Sequence, residues 1–395
     1  MYNEFPMQSL SHDQKLCLTH ILEWYKKDKD QMQFVTLGGY AGTGKTTLIA
    51  FLRRELHTIE PTMIVGFASY TGKAARVLQT KLTEENAVLK NDTVGTIHSL
   101  IYTPIINDHE EIIGWKKKDE IESDLIIIDE ASMVDSIIWE HLLSYGKPII
   151  VVGDHGQLPP IKGTFNLMQK PDVTLIEIHR QAKRNPIIAV SIVAREKGEI
   201  AAAKYSDTVI KFSRDDAETG ERMTEMLNSY SKDTLILCGY NTTRKRLNTY
   251  IRNSLGFDSP EPMSGDRVIC LRNNHKEKIY NGMLGTIEHI ERQSDQWYSA
   301  DIAMDGVEEN YTGIISAAQF NADTALNFTP DRKHIMKGDL FDFGYALTVH
   351  KAQGSQAKRV ILFEERFKKM DDDQWRRWLY TAVTRAEEEL YIFPA

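Results

Sequence analysis

The octapeptide Gly39-Tyr-Ala-Gly-Thr-Gly-Lys45-Thr46 follows the apolar run 34–37 and precedes the helix-like stretch 46–56. A strand, a glycine-rich turn and a helix in that order make a phosphate-binding loop, which commits this part of the chain to an α/β fold. The backbone N–H groups of such a loop wrap a phosphate, and the helix N-terminus adds partial positive charge. Gly42, Thr43, Gly44, Lys45, Thr46 and Thr47 are therefore candidate ATP contacts. Lys45 is suited to the outer phosphates, and the Thr46 hydroxyl to a Mg²⁺ ion.

Residues 31–180 alternate short β-like runs (34–37, 63–68, 125–128, 149–152 and 174–178) with helical stretches. That alternation predicts a parallel sheet covered by helices. The runs 125–128 and 149–152 are uninterrupted apolar segments, as strands buried on both faces should be. Each leads directly into a polar motif, Asp129-Glu130 and Gly153-Asp-His-Gly-Gln157. Ligands of open α/β sheets bind beyond the carboxyl ends of strands, so both motifs should share an edge with the phosphate loop. A second α/β set begins with a helical stretch near 187 and runs through 234–238, 345–349 and 360–363. Between its parts, residues 265–340 read as a β-rich insertion with turns at Asn281-Gly282 and Asp305-Gly306. A β-hairpin is expected within 97–122, from runs 101–106 and 112–115 around Asn107-Asp108.

Each candidate side chain admits a plain reading beside a chemical one. Asp129 can hold Mg²⁺ and Glu130 can activate water as general base; equally, two acids can start a helix and complement its dipole. Gln157 can bridge a γ-phosphate and the attacking water, within a motif whose Gly, Asp and Pro residues also build a turn. Arg385, in the apolar-faced helical stretch 375–386, can cap carbonyls or act as an arginine finger, and Arg180 is a second such cation.

With 395 residues, 42% of them hydrophobic and 26% charged, the chain has length for two or more domains and the composition of a soluble globular protein. No apolar stretch matches the thickness of a bilayer, and the N-terminus lacks signal-peptide character. The three cysteines, Cys17, Cys238 and Cys270, lack metal-ligand spacing and suit a reducing compartment. We expect a cytoplasmic enzyme, in host cytoplasm if the source is viral, with no membrane partner. The net charge of −8 gives no global case for nucleic acid, so a strand-binding groove must be locally basic.

The ordered motifs resemble the superfamily 1B DNA helicases of the RecD and Dda type. They are Asp13-Gln14-Lys15, the phosphate loop, Ala68-Ser-Tyr-Thr-Gly72-Lys73, Gly95-Thr96-Ile97-His98-Ser99, Asp129-Glu-Ala-Ser132 and Gly153 to Pro160. They continue with Ile178-His-Arg180-Gln-Ala182, Asn241-Thr-Thr-Arg244, Thr348-Val-His350-Lys351-Ala-Gln-Gly354 and Thr381-Ala-Val-Thr-Arg385. The resemblance implies two RecA-like domains, 1–180 and 181–264 with 341–395, with ATP between them, and an SH3-like insertion at 265–340. It implies ATP- and Mg²⁺-dependent 5′→3′ movement on single-stranded DNA, strand separation at single/double-strand junctions by the hairpin, and a monomer that can meet replication or recombination proteins. Catalysis falls by likeness to Lys45, Glu130, Gln157, Arg180 and Arg385, adenine contact to Gln14, and nucleotide approach to Gly354. Gly72, Thr96, His98, Asn241, Thr348, His350 and Lys351 match strand-contacting positions. By the residues alone, Gln14 suits a helix surface, Thr96 a turn, and His98 and His350 a core. Two other functions compete: a translocase on DNA or RNA that strips proteins without efficient unwinding, and a nucleotide-dependent loader acting through a protein partner.

Overall fold

Unbroken apolar runs in the central strands determine the layering of the N-terminal half. The computed structural model describes residues 10–106, 112–160, 165–178, 184–274, 277, 279–307, 309–322, 326 and 337–394. The chain divides into two compact units, Met1–Ile188 and Ala189–Ala395. In the first, strands β1 (Phe34–Gly39), β2 (Val65–Ser69), β3 (Thr93–Thr96), β6 (Leu125–Asp129), β7 (Ile149–Gly153) and β8 (Val173–Leu175) form one sheet. Its order is β3-β2-β6-β7-β1-β8, and every pairing is parallel. Leu125, Ile127, Ile150 and Val152 enter the core that includes α1 (His12–Lys27) and α2 (Lys45–Ile59). The alternate residues Ile126, Ile128, Ile149 and Val151 enter the opposite core, with Ile138, Trp139 and Leu142 of α5 (Ser136–Leu143). Both faces are therefore dry, which is why these two strands read as unbroken apolar runs.

One buried ion pair ties the sheet to its helices. Arg53 of α2 donates from Nε and from a terminal nitrogen to the two carboxylate oxygens of Asp92, at 2.9 and 3.0 Å. Asp92 also accepts from the backbone N–H of Val65 and Leu89. Both side chains are 1% exposed, so deleting one partner strands the other in low dielectric. Asp92→Ala should lower stability by about 3–5 kcal/mol. Chemical denaturation checks this, and a loss below about 1 kcal/mol would mean that the pair is well hydrated.

Between β3 and β6, α4 (Ile97–Ile101) runs into the antiparallel pair β4 (Tyr102–Ile106) and β5 (Ile112–Lys117). The Asn107-Asp108 turn lies outside the described residues. Thr96 starts α4 by accepting from the Ser99 N–H at 3.1 Å. Two side chains near the end of α5 grip the root of the pair. His141 Nδ1 lies 2.6 Å from the Tyr102 hydroxyl, and the Tyr145 hydroxyl lies 2.9 Å from both the Ile101 and Lys118 carbonyls.

The second unit holds a six-stranded sheet: β9 (Ala203–Lys204), β10 (Val209–Lys211), β11 (Thr234–Cys238), β17 (Ala346–Thr348), β18 (Ala357–Glu364) and β19 (Ala386–Pro394). Its order is β17-β11-β18-β19-β10-β9, parallel except for the pairing of β9 with β10. A five-stranded antiparallel sheet, β15-β14-β13-β12-β16, is built from β12 (Arg267–Cys270), β13 (Leu284–Arg292), β14 (Trp297–Met304), β15 (Tyr311–Ser316) and β16 (Phe341–Phe343). Arg252, in the helix Asn241–Ser254, forms a two-point ion pair with Asp266 at 2.8 and 2.9 Å, and Tyr345 donates to the same carboxylate. This network fixes that helix against the start of the antiparallel sheet.

The structure adds β3, β9, β10, β16 and β19 to the sequence reading, and shifts the last helix three residues toward the N-terminus, to Asp372–Val383. Arg385 thus lies past the helix, immediately before β19, rather than inside it. The Ala386-Glu-Glu-Glu stretch has helix-forming composition, but pairing with both β18 and β10 overrides that preference. All three cysteines are buried free thiols, and burial pushes Cys17 up to about 11 and Cys238 and Cys270 up to about 12.

Candidate functional site

Sheet register sets which motifs meet in the first unit. Ser69 pairs with both Thr96 and Asp129, while Gly38 pairs with Gly153 and Thr174. The carboxyl ends of β3, β2, β6, β7 and β1 therefore finish on one edge, and the polar motifs leave from it.

The phosphate loop spans the exit of β1. Gly42 and Gly44 take positive φ, 78° and 76°, a conformation that a side chain would strain. Gly44 precedes α2 without a side-chain cap, leaving the first N–H groups of the helix open to an anion. Lys45 folds back, donating from Nζ to the Gly39 and Tyr40 carbonyls at 2.8 and 3.1 Å. Thr43 is buried, with its hydroxyl on the Tyr40 carbonyl. Thr46 is half-buried, and Gly42 and Thr47 are exposed.

The carboxylates stand at the exit of β6. Asp129 Oδ1 accepts from the Glu130 N–H at 2.9 Å. Burial pushes the Asp129 carboxyl up to about 6; the Glu130 carboxylate adds to the rise, and Lys45 opposes it. Lys45 and Asp129 thus lie within electrostatic reach of one another. Glu130 occupies the left-handed region, φ 55° and ψ 39°, which is rare for a residue with a side chain and typical of strain held at working sites. Among the described residues, no group of three or more His, Cys, Asp or Glu side chains forms a metal cage. The donor set fits a Mg²⁺ held by one hydroxyl and one carboxylate, with phosphate oxygens supplying the rest. A carboxyl raised by burial and a like charge is also one that a cation would relieve.

Gln157 is buried next to Asp154, to which its amide nitrogen donates at 3.4 Å. Asp154, 1% exposed, also accepts from the Gly156 N–H and so braces the turn. His155 packs against Tyr40 of the phosphate loop with ring centroids 4.2 Å apart. Sequence reasoning gave Asp154 only a place in the turn and assigned no role to His155 or Tyr40, although both lie inside the motifs it singled out.

Gln14 is not the surface residue that its helix position allowed: it is 1% exposed. Its Nε2 donates to the Thr43 carbonyl at 3.2 Å, and its Oε1 accepts from the Ser11 N–H at 2.9 Å, completing a capping box. The neighbouring Asp13 accepts from the Ile176 and Glu177 N–H groups just beyond β8. The start of α1 therefore braces the phosphate loop and the exit of β8 together. Arg180 lies outside the described residues.

Gly72 opens α3 (Gly72–Glu84), which is capped by Thr71. Thr96 is buried, its hydroxyl spent on capping α4, and His98 is half-buried against Tyr102 with ring centroids 5.0 Å apart. Burial holds the His98 imidazole below its usual range, so it favours the neutral form.

In the second unit, Arg385 is 3% exposed and donates to the carbonyls of Thr381 and Ser355 at 3.0 and 3.2 Å and to the Thr384 hydroxyl. Among the described residues it forms no ion pair. Its charge is fixed by neutral acceptors, which orient it without neutralising it. Ser355 follows Gly354, at φ 74°. Thr348 is buried, whereas His350 and Lys351 are half-buried at the exit of β17. Burial lowers both titrating groups, and the nearby Arg244 charge lowers Lys351 further. Asn241 is exposed at the first turn of its helix, where its side-chain Oδ1 accepts from Arg244 Nε.

Residues 9–211, more than half of the chain, match the family model described as an AAA domain, and 343–393 match the UvrD-like helicase C-terminal domain. The ATP-dependent RecD2 DNA helicase of Deinococcus radiodurans is 27% identical over 385 residues, covering 91% of this chain and 46% of that protein. The chain therefore spans about half of that relative's length. The ATP-dependent DNA helicase dda of Enterobacteria phage T4 is 33% identical over 142 residues, 35% of this chain and 30% of the phage protein. A solved structure of the Pif1 helicase from Bacteroides, in complex with ADP-AlF3 and ssDNA, shares the fold with a TM-score of 0.55. It is 18% identical, and the match covers 97% of this chain and 92% of that one. The match over more than half of the chain places it in the AAA-domain family, and the C-terminal match and the relatives above make it similar to RecD-type helicases of superfamily 1B.

Proposed function

We propose that the chain is an ATP-dependent DNA helicase that moves 5′→3′ on single-stranded DNA and acts at single/double-strand junctions. The observation that carries this reading is the single sheet edge on which Lys45, Asp129, Glu130 and Gln157 converge. Lys45 leaves its two loop carbonyls to clamp the outer phosphates. Thr46 and Asp129 are the residues that would hold Mg²⁺, which when bound neutralises phosphate charge. Glu130 takes the proton of the attacking water, and Gln157, held by Asp154, aligns that water. Arg385, oriented but not neutralised by its carbonyl partners, supplies positive charge as charge develops on the γ-phosphate, with Arg180 as the second cation. Gln14, which braces the loop through the Thr43 carbonyl, is the assigned adenine contact.

For the track, Gly72, Thr96, His98, Asn241, Thr348, His350 and Lys351 are the assigned strand contacts. Half-buried, neutral-leaning imidazoles at His98 and His350 favour stacking and hydrogen bonding over simple charge attraction. Affinity that differs between nucleotide states then yields directed motion.

The test measures ATP turnover with and without single-stranded DNA, followed by strand displacement on 5′- and 3′-tailed duplexes. At least a tenfold (about 1.4 kcal/mol) stimulation by DNA is expected, with displacement on the 5′-tailed substrate only. Turnover indifferent to DNA would refute the motor reading. Stimulation without displacement would leave a translocase.

A further inference from the structure

Three rings meet at the carboxyl ends of three adjacent strands in the second unit. Tyr240 lies just past β11, Phe367 beyond β18, and His350 beyond β17; in the sheet, β11 sits between the other two. Tyr240 and Phe367 meet edge to face with centroids 4.7 Å apart, and His350 lies 6.5 Å from Phe367. We propose that Tyr240, backed by Phe367, is a stacking platform for a base of single-stranded DNA. The inference rests on the single-strand reading above and extends it to residues that no motif singled out.

Tyr240 is 38% exposed, yet it is held at every other point. Its N–H donates to Glu365 Oε2 at 3.0 Å, beside the Gly239 N–H at 2.8 Å. Its hydroxyl donates to the Arg366 carbonyl at 3.2 Å. Gly239 has no room for a side chain: a Cβ there would lie 2.8 Å from the Glu365 carbonyl oxygen. An exposed ring already fixed in place loses little entropy when a base stacks on it, and stacking tolerates any base.

Two cations here are open to a polyanion, while the nearby carboxylates are engaged, Asp371 on the Gln374 N–H and Asp373 on Arg377. The Glu365 carboxylate is spent on two backbone N–H groups and on the Thr243 hydroxyl at 2.5 Å, and Arg366 is paired with Asp372. Lys368 and Lys369, next to Phe367, are exposed and form no ion pair among the described residues. Aromatic faces flanked by free ammonium groups form a surface suited to a single strand. A protein partner docking here would not need both.

The experiment measures binding of the full chain to a fluorescein-labelled oligothymidylate and to an abasic oligomer of the same length, at fixed salt. Tyr240→Ala should weaken oligothymidylate binding about 10-fold (about 1.4 kcal/mol), and Tyr240→Phe, which keeps the ring, less than about 2-fold. The abasic oligomer should not distinguish the parent from Tyr240→Ala. The slope of log affinity against log salt should stay unchanged in Tyr240→Ala and fall by up to about 1.4 in the Lys368→Ala/Lys369→Ala pair. Parent-like binding by Tyr240→Ala overturns the platform. Tyr240→Phe weakened as much as Tyr240→Ala also overturns it, assigning the effect to the hydroxyl anchor. A parent chain that binds neither oligomer overturns the single-strand reading itself.

Discussion

Lys45→Ala is expected to lower ATP turnover by about 10²–10³-fold, the scale of losing one preorganised donor to developing negative charge. Among the described residues Lys45 donates to two carbonyls of its own loop, those of Gly39 and Tyr40, and its charge reaches Asp129. Alanine at this first helical position is a good helix former, and water can replace the lost donor at a half-exposed loop. Stability should therefore shift by less than about 1 kcal/mol, and the melt should stay cooperative. Steady-state turnover beside a thermal melt separates the two effects. Turnover near the parent rate would remove Lys45 from the phosphate site, and a collapsed melt would make it a structural residue.

Glu130→Gln is expected to abolish turnover, by about 10²–10⁴-fold, while nucleotide affinity survives. The amide keeps the shape of the side chain and meets the same left-handed backbone, so the strain at φ 55° is unchanged. Electrostatics strengthens the expectation. The Glu130 carboxylate is one reason that Asp129 stands up at about 6, so its neutralisation brings Asp129 down toward the ordinary carboxylate range. A more fully ionised Asp129 should hold Mg²⁺–nucleotide at least as well as before. The check compares turnover with the binding of a fluorescent ATP analogue in Mg²⁺. Affinity and turnover falling together would show that Glu130 holds the metal or the turn rather than the attacking water.

The phosphate loop and both dry strands were legible in the sequence because each carries a strong local signal. A left-handed turn requires Gly42 and Gly44, and burial on both faces makes 125–128 and 149–152 continuously apolar. Register then followed from topology, since parallel strands of such a sheet end together. The misses share one cause, information held at long range. β19 begins in a glutamate run that favours helix, and only its partners β18 and β10 make it a strand. The capping role of Glu365 depends on a contact 126 residues away in the chain, with Gly239. Gln14 could be read as exposed because helical spacing does not say that the phosphate loop passes behind it. Arg385 was legible as a residue but not as a geometry, because its anchoring carbonyl at Ser355 lies 30 positions upstream.

Helix α5 has a consequence for spacing. Its chain begins at the strained Glu130 turn, passes through the Asp135 cap and, about 12 Å later, reaches His141 and Tyr145 at the root of the β4–β5 pair. A helix this short, capped at its start and buried along one side by Ile138, Trp139 and Leu142, has almost no slack. The Glu130 turn and the root of the strand pair are thus joined by one short, tightly packed helix. Lengthening α5 by a turn would therefore displace the root of the β4–β5 pair from the Glu130 turn by about 5 Å while leaving the residues of the phosphate site in place.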